Sequence, residues 1–195
     1  MGLTICYSGR FKKGRFLSAM INELKDIAEI YAWDYHPFED EFPEDSLGSP
    51  EFNQKLYGIS LSPPGCEPLW MCFLSDGRLS SPVQLQLWGN SKDETERRYL
   101  TKVFTKTQFA GVETHKVLIH LLKHISSKYF EEFELVDETG YWETGDEELL
   151  EERFREMNQL LDQVAFGMEH FPRNSGESFE NYIARLLNQI HKHRK

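Results

Sequence analysis

Phe16, Leu17, Met20, Ile21, Leu24, Ile27, Ala28 and Tyr31 recur at helical spacing and predict an amphipathic helix over Arg15–Tyr31. A second apolar stripe, Val117, Leu118, Leu121, Leu122, Ile125 and Tyr129, predicts a helix over Glu113–Phe130. Leu150, Phe154, Met157, Leu161, Val164 and Met168 make a third stripe behind Asp146, a residue suited to cap it. Phe171–Ser175 breaks that helix, and a last one is predicted over Ser178–His191. Elsewhere the apolar period is two or the runs are short. Strands are predicted over Leu3–Tyr7, Trp33–Phe38, Lys55–Leu61, Leu69–Leu74, Val83–Trp88, Leu100–Phe109 and Phe133–Val136. Asp76-Gly77 is a hairpin signal after the fourth of these. Glu39–Pro50, with Pro43 and Gly48, reads as a loop, and Pro63–Pro68 as a turn cluster.

Consecutive strands without helices between them imply an antiparallel meander, so the expected class is α+β. The picture is a curved, mainly antiparallel sheet with helices on one face and its wetter face around Gln84 and Gln86. One domain is expected over residues 1–170, with 171–195 as a helical appendage that packs on its own domain or on another chain.

Composition narrows the function classes. The 195 residues are 39% hydrophobic and 13% aromatic, enough for a core. The net charge is −10. That balance disfavours nucleic acid and an anionic membrane surface, both of which need clustered cations. No apolar run approaches the ~20 residues of a membrane span. The N-terminus carries no basic-then-apolar signal, and Cys6 stands where myristoylation wants Ser or Thr. Three cysteines give no disulfide scaffold and no CxxC pair, so the expectation is a cytoplasmic chain with reduced thiols and no cofactor. The acidity is concentrated: Glu131–Glu156 holds twelve acids against Arg153 and Arg155, and Asp34–Glu51 holds seven acids and no Lys or Arg. Such runs are solvated faces or a docking surface for a basic protein.

Four groups of residues carry candidate chemistry. Gly9 and Gly14 have P-loop spacing around Arg10, Lys12, Lys13 and Arg15, an arrangement that suits an anion. Arg15 and Phe16 stand where a P-loop needs Lys and a hydroxyl, which excludes the nucleotide site proper. His120 and His124 are four apart on the second helix and face one way, as metal ligands would; the bland alternative is surface histidines. His115 near that helix's start is a candidate general base, since imidazole titrates near neutrality. Lys106 and Gln108 lead into the same helix, and Asp137, Tyr141, Trp142 and Glu143 form a loop in which two aromatics sit among carboxylates. That loop reads as a binding anchor or as a structural loop with tucked aromatics. Cys66 lies beside Glu67, which raises a thiol's pKa and disfavours a nucleophile.

Gly58-Ile59-Ser60-Leu61, Cys66-Glu67-Pro68-Leu69, Lys106–Gly111 with His115, and Asp137–Thr144 together resemble a group of uncharacterised bacterial proteins over residues 1–165. The resemblance implies a bacterial cytoplasmic setting and assigns no catalytic residue. With no complete catalytic motif, the leading expectation is a non-catalytic protein- or ligand-binding domain, of the acidic inhibitor or immunity type. A hydrolase using His115 or a His/carboxylate metal site is the alternative, and an anion-binding module at Arg10–Arg15 a third. Expected partners are a basic protein and, as a homodimer, a second copy of the chain.

Overall fold

The computed structural model describes residues 2–44 and 46–193. They form α+β architecture with two antiparallel sheets, one of three strands in the order β6-β1-β7 and one of four in the order β2-β3-β4-β5. The strands are β1 (Thr4–Phe11), β2 (Asp34–Pro37), β3 (Tyr57–Ser62), β4 (Leu69–Phe73), β5 (Leu79–Ser80), β6 (Val103–Lys106) and β7 (Phe130–Asp137). The helices are α1 (Leu17–Ile30), α2 (Pro82–Trp88), α3 (Glu94–Arg97), α4 (Gly111–Tyr129), α5 (Tyr141–Thr144), α6 (Glu147–His170) and α7 (Phe179–His193). By contact the chain divides into two compact units, residues 1–150 and 151–195. In the second, Glu177, in the turn between α6 and α7, accepts hydrogen bonds from Arg185 on α7 at 2.9 Å.

Within the first unit, the hydroxyl of Tyr7 on β1 joins the two sheets. It accepts the Trp70 N–H of β4 at 2.8 Å and lies 3.2 Å from Thr105 Oγ1 on β6. Thr105 in turn donates to the Pro68 carbonyl at 3.0 Å. The phenol is fully buried, and burial pushes its pKa up, so it serves as a neutral hydrogen-bonding group. The aromatic centre of the core is Phe11, whose ring centroid lies 4.8 Å from Phe73 and 6.3 Å from Tyr129.

Four expectations change. Residues 82–88 form α2, not a strand. Ser81 caps the helix, its Oγ accepting from the Gln84 N–H at 3.3 Å, and Pro82 occupies the first turn, where its fixed φ and missing N–H cost nothing. The apparent alternation misleads: Gln84 is buried while Val83 and Leu87 are exposed. The Leu100–Phe109 strand shrinks to β6, preceded by a 3₁₀ turn over Arg98–Thr101. Leu100 from that turn joins Leu56, Cys72 and Leu74 in a second apolar cluster, against which Trp70, Leu85 and Trp88 pack. The four-stranded sheet therefore has α1 against β3 and, in addition, this α2-side cluster against its Cys72 face. The wetter sheet face belongs to the three-stranded sheet, where Phe104, Lys106, Glu134 and Val136 are exposed. Finally, β1 extends to Phe11, so Gly9 and Arg10 belong to a strand rather than to an anion-cradling loop.

Candidate functional site

The densest polar cluster lies where α4 begins and β7 ends. Asp137 is the last residue of β7, and the turn after it needs Gly140 in the left-handed region at φ +76. That turn folds Thr139 back onto the carboxylate, Thr139 N donating to Oδ1 at 3.0 Å and Thr139 Oγ1 to Oδ2 at 2.7 Å. The Trp142 N–H reaches the same Oδ2 at 3.1 Å. His115, one turn into α4, places Nε2 3.3 Å from Oδ2 and Nδ1 2.8 Å from Thr107 Oγ1. The carboxylate at Nε2 requires the imidazole hydrogen there, which leaves Nδ1 to accept from Thr107. Burial alone would raise the Asp137 carboxyl, but hydrogen bonds from His115 and Thr139 outweigh it and hold the group below its ordinary value.

In this arrangement His115, the candidate general base, is enclosed rather than open to a cleft. Its side chain and that of Asp137 have 0% exposure, so no substrate reaches either. The pair is a staple that ties α4 to β7 and, through the Thr107 N–H donating to the Leu3 carbonyl at 2.9 Å, to the start of β1. The other residues singled out in the sequence do not converge with it on an open cleft. Tyr141 is buried, and Trp142 is half-buried with Lys123 Nζ 5.3 Å above its ring. The aromatic loop is thus tucked rather than displayed. Glu143 is exposed, and Lys106 pairs loosely with Glu67 at 3.8 Å. The Gln108 side-chain oxygen is buried with no hydrogen-bond partner among the described residues.

His120 and His124 turn to different neighbours. His120 Nε2 lies 3.4 Å from the Tyr141 hydroxyl, and His124 Nε2 lies 2.6 Å from Glu23 on α1. Among the described residues no group of three His, Cys, Asp or Glu could hold a metal ion. At Cys66 burial first and Glu67 second push the thiol up to about 11, which disfavours the thiolate a nucleophile needs.

Glu23 joins α1 to α4 through three partners: His124, Lys128 Nζ at 2.8 Å and the Tyr129 hydroxyl at 2.5 Å. Burial alone would raise its carboxyl, but hydrogen bonds from Lys128, Tyr129 and His124 bring it down to about 2 from an ordinary 4.5. A depressed carboxyl stabilises the fold above its unfolded pKa, and that contribution is lost as pH falls from 4.5 towards 2. Lys128 and His124 are about half exposed, so the pairs are screened and together contribute about 1 kcal/mol. Thermal melts of the native chain and of Glu23→Gln are expected to differ at neutral pH and to converge in that acid window. A constant difference across it would remove this assignment.

What the sequence did not signal is a polar groove beside α1. It has a volume of about 720 Å³ and runs between one face of the helix, Ser18, Asn22 and Lys25, and the segment from His36 to Asp40. A second groove of about 580 Å³ meets it at Ser18 and Asp40 and includes Arg15. Arg15 lines that groove together with Asp40 and Glu41, while Arg10 sits on β1 opposite Glu132. These grooves combine residues from α1 with a loop some twenty positions away, which no local pattern announces.

Of the acids in Glu131–Glu156, Asp137 alone is buried; the other eleven are exposed. Within the first unit, Glu131–Leu150 contains nine acids and no Lys or Arg, spread over β7, α5, the first turn of α6 and the turns between them. No family model matches the chain, and no curated protein or solved structure matches it either. None of the helices among the described residues is long and apolar enough to cross a membrane.

Proposed function

We propose that this protein is a non-catalytic binding domain whose acidic surface docks a basic protein, in the manner of an inhibitor or immunity protein acting in a bacterial cytoplasm. The observation that carries the reading is the eight exposed acids between Glu131 and Leu150, with no Lys or Arg among them. A surface of one sign steers an oppositely charged partner and fixes its register. The enclosure of His115 and Asp137 supports the same reading, since an enclosed imidazole does not suit the general base that one form of the hydrolase alternative uses.

The test uses a short oligolysine peptide as a defined basic probe, with binding followed by isothermal titration at low and at physiological salt. Reversing Glu131, Glu143, Asp146 and Glu148 to lysine is expected to weaken binding by about tenfold or more. Reversing Glu39, Glu41, Glu44 and Glu51 instead, in the other acidic stretch, is expected to change it by less than about twofold. Equal losses from both sets would mean general charge attraction and would end the proposal.

A further inference from the structure

The outer face of the three-stranded sheet has a sign pattern of its own, and it shares Glu134 and Glu138 with the acidic surface. Register places Phe104, Cys6 and Val136 side by side in one row across β6, β1 and β7. Phe104 and Val136 are 38% and 64% exposed, and Cys6 between them is half-buried. An apolar row on an open sheet face is unfavourable in water and marks a contact surface. Charge of one sign lies on each side of it. On the β6 side Lys106 stands opposite Thr4, and Lys102 immediately precedes the strand. On the β7 side Glu134 stands opposite Ser8, and Glu138 follows the strand with its carboxylate on the Thr4 N–H at 2.8 Å. All four are exposed, and Lys106 approaches Glu67 at 3.8 Å.

We propose that this face is a homodimer interface, on which a second copy of the chain stacks the same face about a two-fold axis running along β1. Such an axis carries β6 of one copy over β7 of the other. Lys102 and Lys106 then meet Glu134 and Glu138 of the second copy, twice, while the Phe104–Cys6–Val136 row meets itself. A two-fold contact must be self-complementary, and a row with a basic flank and an acidic flank meets that condition. Sheets stacked face to face keep their strands within about 30° of each other, which an axis along the strands allows. A face three strands wide at about 4.8 Å spacing and seven residues long at about 3.3 Å each covers roughly 300 Å² per copy. That is below the roughly 800 Å² per partner of a standard interface, so the dimer is weak and reversible.

Sedimentation from about 10 µM to about 1 mM tests it, because the dimer fraction must rise with concentration. The native chain is expected to shift from monomer towards dimer across that range. Lys102→Glu with Lys106→Glu sets acid against acid, and Glu134→Lys with Glu138→Lys sets base against base. Each double variant is expected to lose association by about tenfold or more. Mixing the two variants restores opposite signs on both flanks, so the mixture is expected to dimerise while each component stays monomeric. Circular dichroism melts of the separate variants verify that they fold. A native chain that stays monomeric throughout, or double variants that associate as well as the native chain, would overturn the proposal. Reversal of Glu143 and Asp146, outside this face, should leave the dimer unchanged, which separates this outcome from that of the basic-partner test.

Discussion

His115→Ala is expected to lower the free energy of unfolding by about 3–5 kcal/mol, as truncation of a large buried side chain that also leaves a buried carboxylate short of a hydrogen bond does. The substitution leaves the Asp137 carboxylate enclosed and without its imidazole, and it opens a void between α4 and β7. Asp137→Asn keeps the shape and the hydrogen bond from Thr139 Oγ1 but removes the charge, so it is expected to cost less. Urea denaturation measures both. The acid dependence has a definite sign. The Asp137 carboxyl is held below its ordinary value in the folded chain, so its contribution is present above the ordinary carboxylate range and is lost as pH falls through it. The difference between the native chain and Asp137→Asn should therefore shrink below about pH 4. A catalytic His115 makes the opposite forecast, a variant as stable as the native chain; that result would show the pair to be something other than a staple.

Gly58→Ala is expected to be at least as damaging, about 4 kcal/mol or more, which puts it among the exceptional single substitutions. Gly58 lies on β3 at φ +121, where an L side chain is strained, and a Cβ there would run into the Met71 carbonyl oxygen on the paired strand β4. The same residue holds the chain after β2, its N–H donating to the Glu39 carbonyl at 2.9 Å and its carbonyl accepting from Phe38 N at 2.8 Å. Neither strand can move aside without losing its ladder. Gly111→Ala provides the comparison: Gly111 also has a positive φ, +84, but a Cβ there meets nothing within 4 Å. Its cost should be the conformational one alone, about 1–2 kcal/mol. Thermal melts of the two variants in parallel separate strain from collision, and equal shifts would refute the collision at Gly58.

The parts of this protein whose cause is local were legible along the chain. The helix stripes around Met20 and Leu118 lie within a few residues of α1 and α4, because a 3.6-residue apolar period has one buried solution. The hairpin at Asp76-Gly77, the break before α7 and the concentration of acid after Glu131 were equally legible. Misreadings came where two local signals competed. Val83, Leu85 and Leu87 alternate like a strand, but Ser81-Pro82 starts a helix, and the cap decided the outcome. At Gly9–Gly14 the motif spacing was present, but pairing with β7 drew Gly9 and Arg10 into β1.

The tertiary structure alone decided what the titratable residues are for. His115, Asp137, Thr107 and Thr139 are spread over 33 positions, and only the return of β7 to the start of α4 encloses them together. An imidazole at the surface and one at 0% exposure look identical in a sequence, because burial is set by distant chain. His120 and His124 share a helix face, yet one meets Tyr141 and the other Glu23 because different elements flank the two turns. The opposed charges on the Phe104–Cys6–Val136 row likewise exist only through strand order, since β6 and β7 flank β1 by pairing and not by adjacency in the chain.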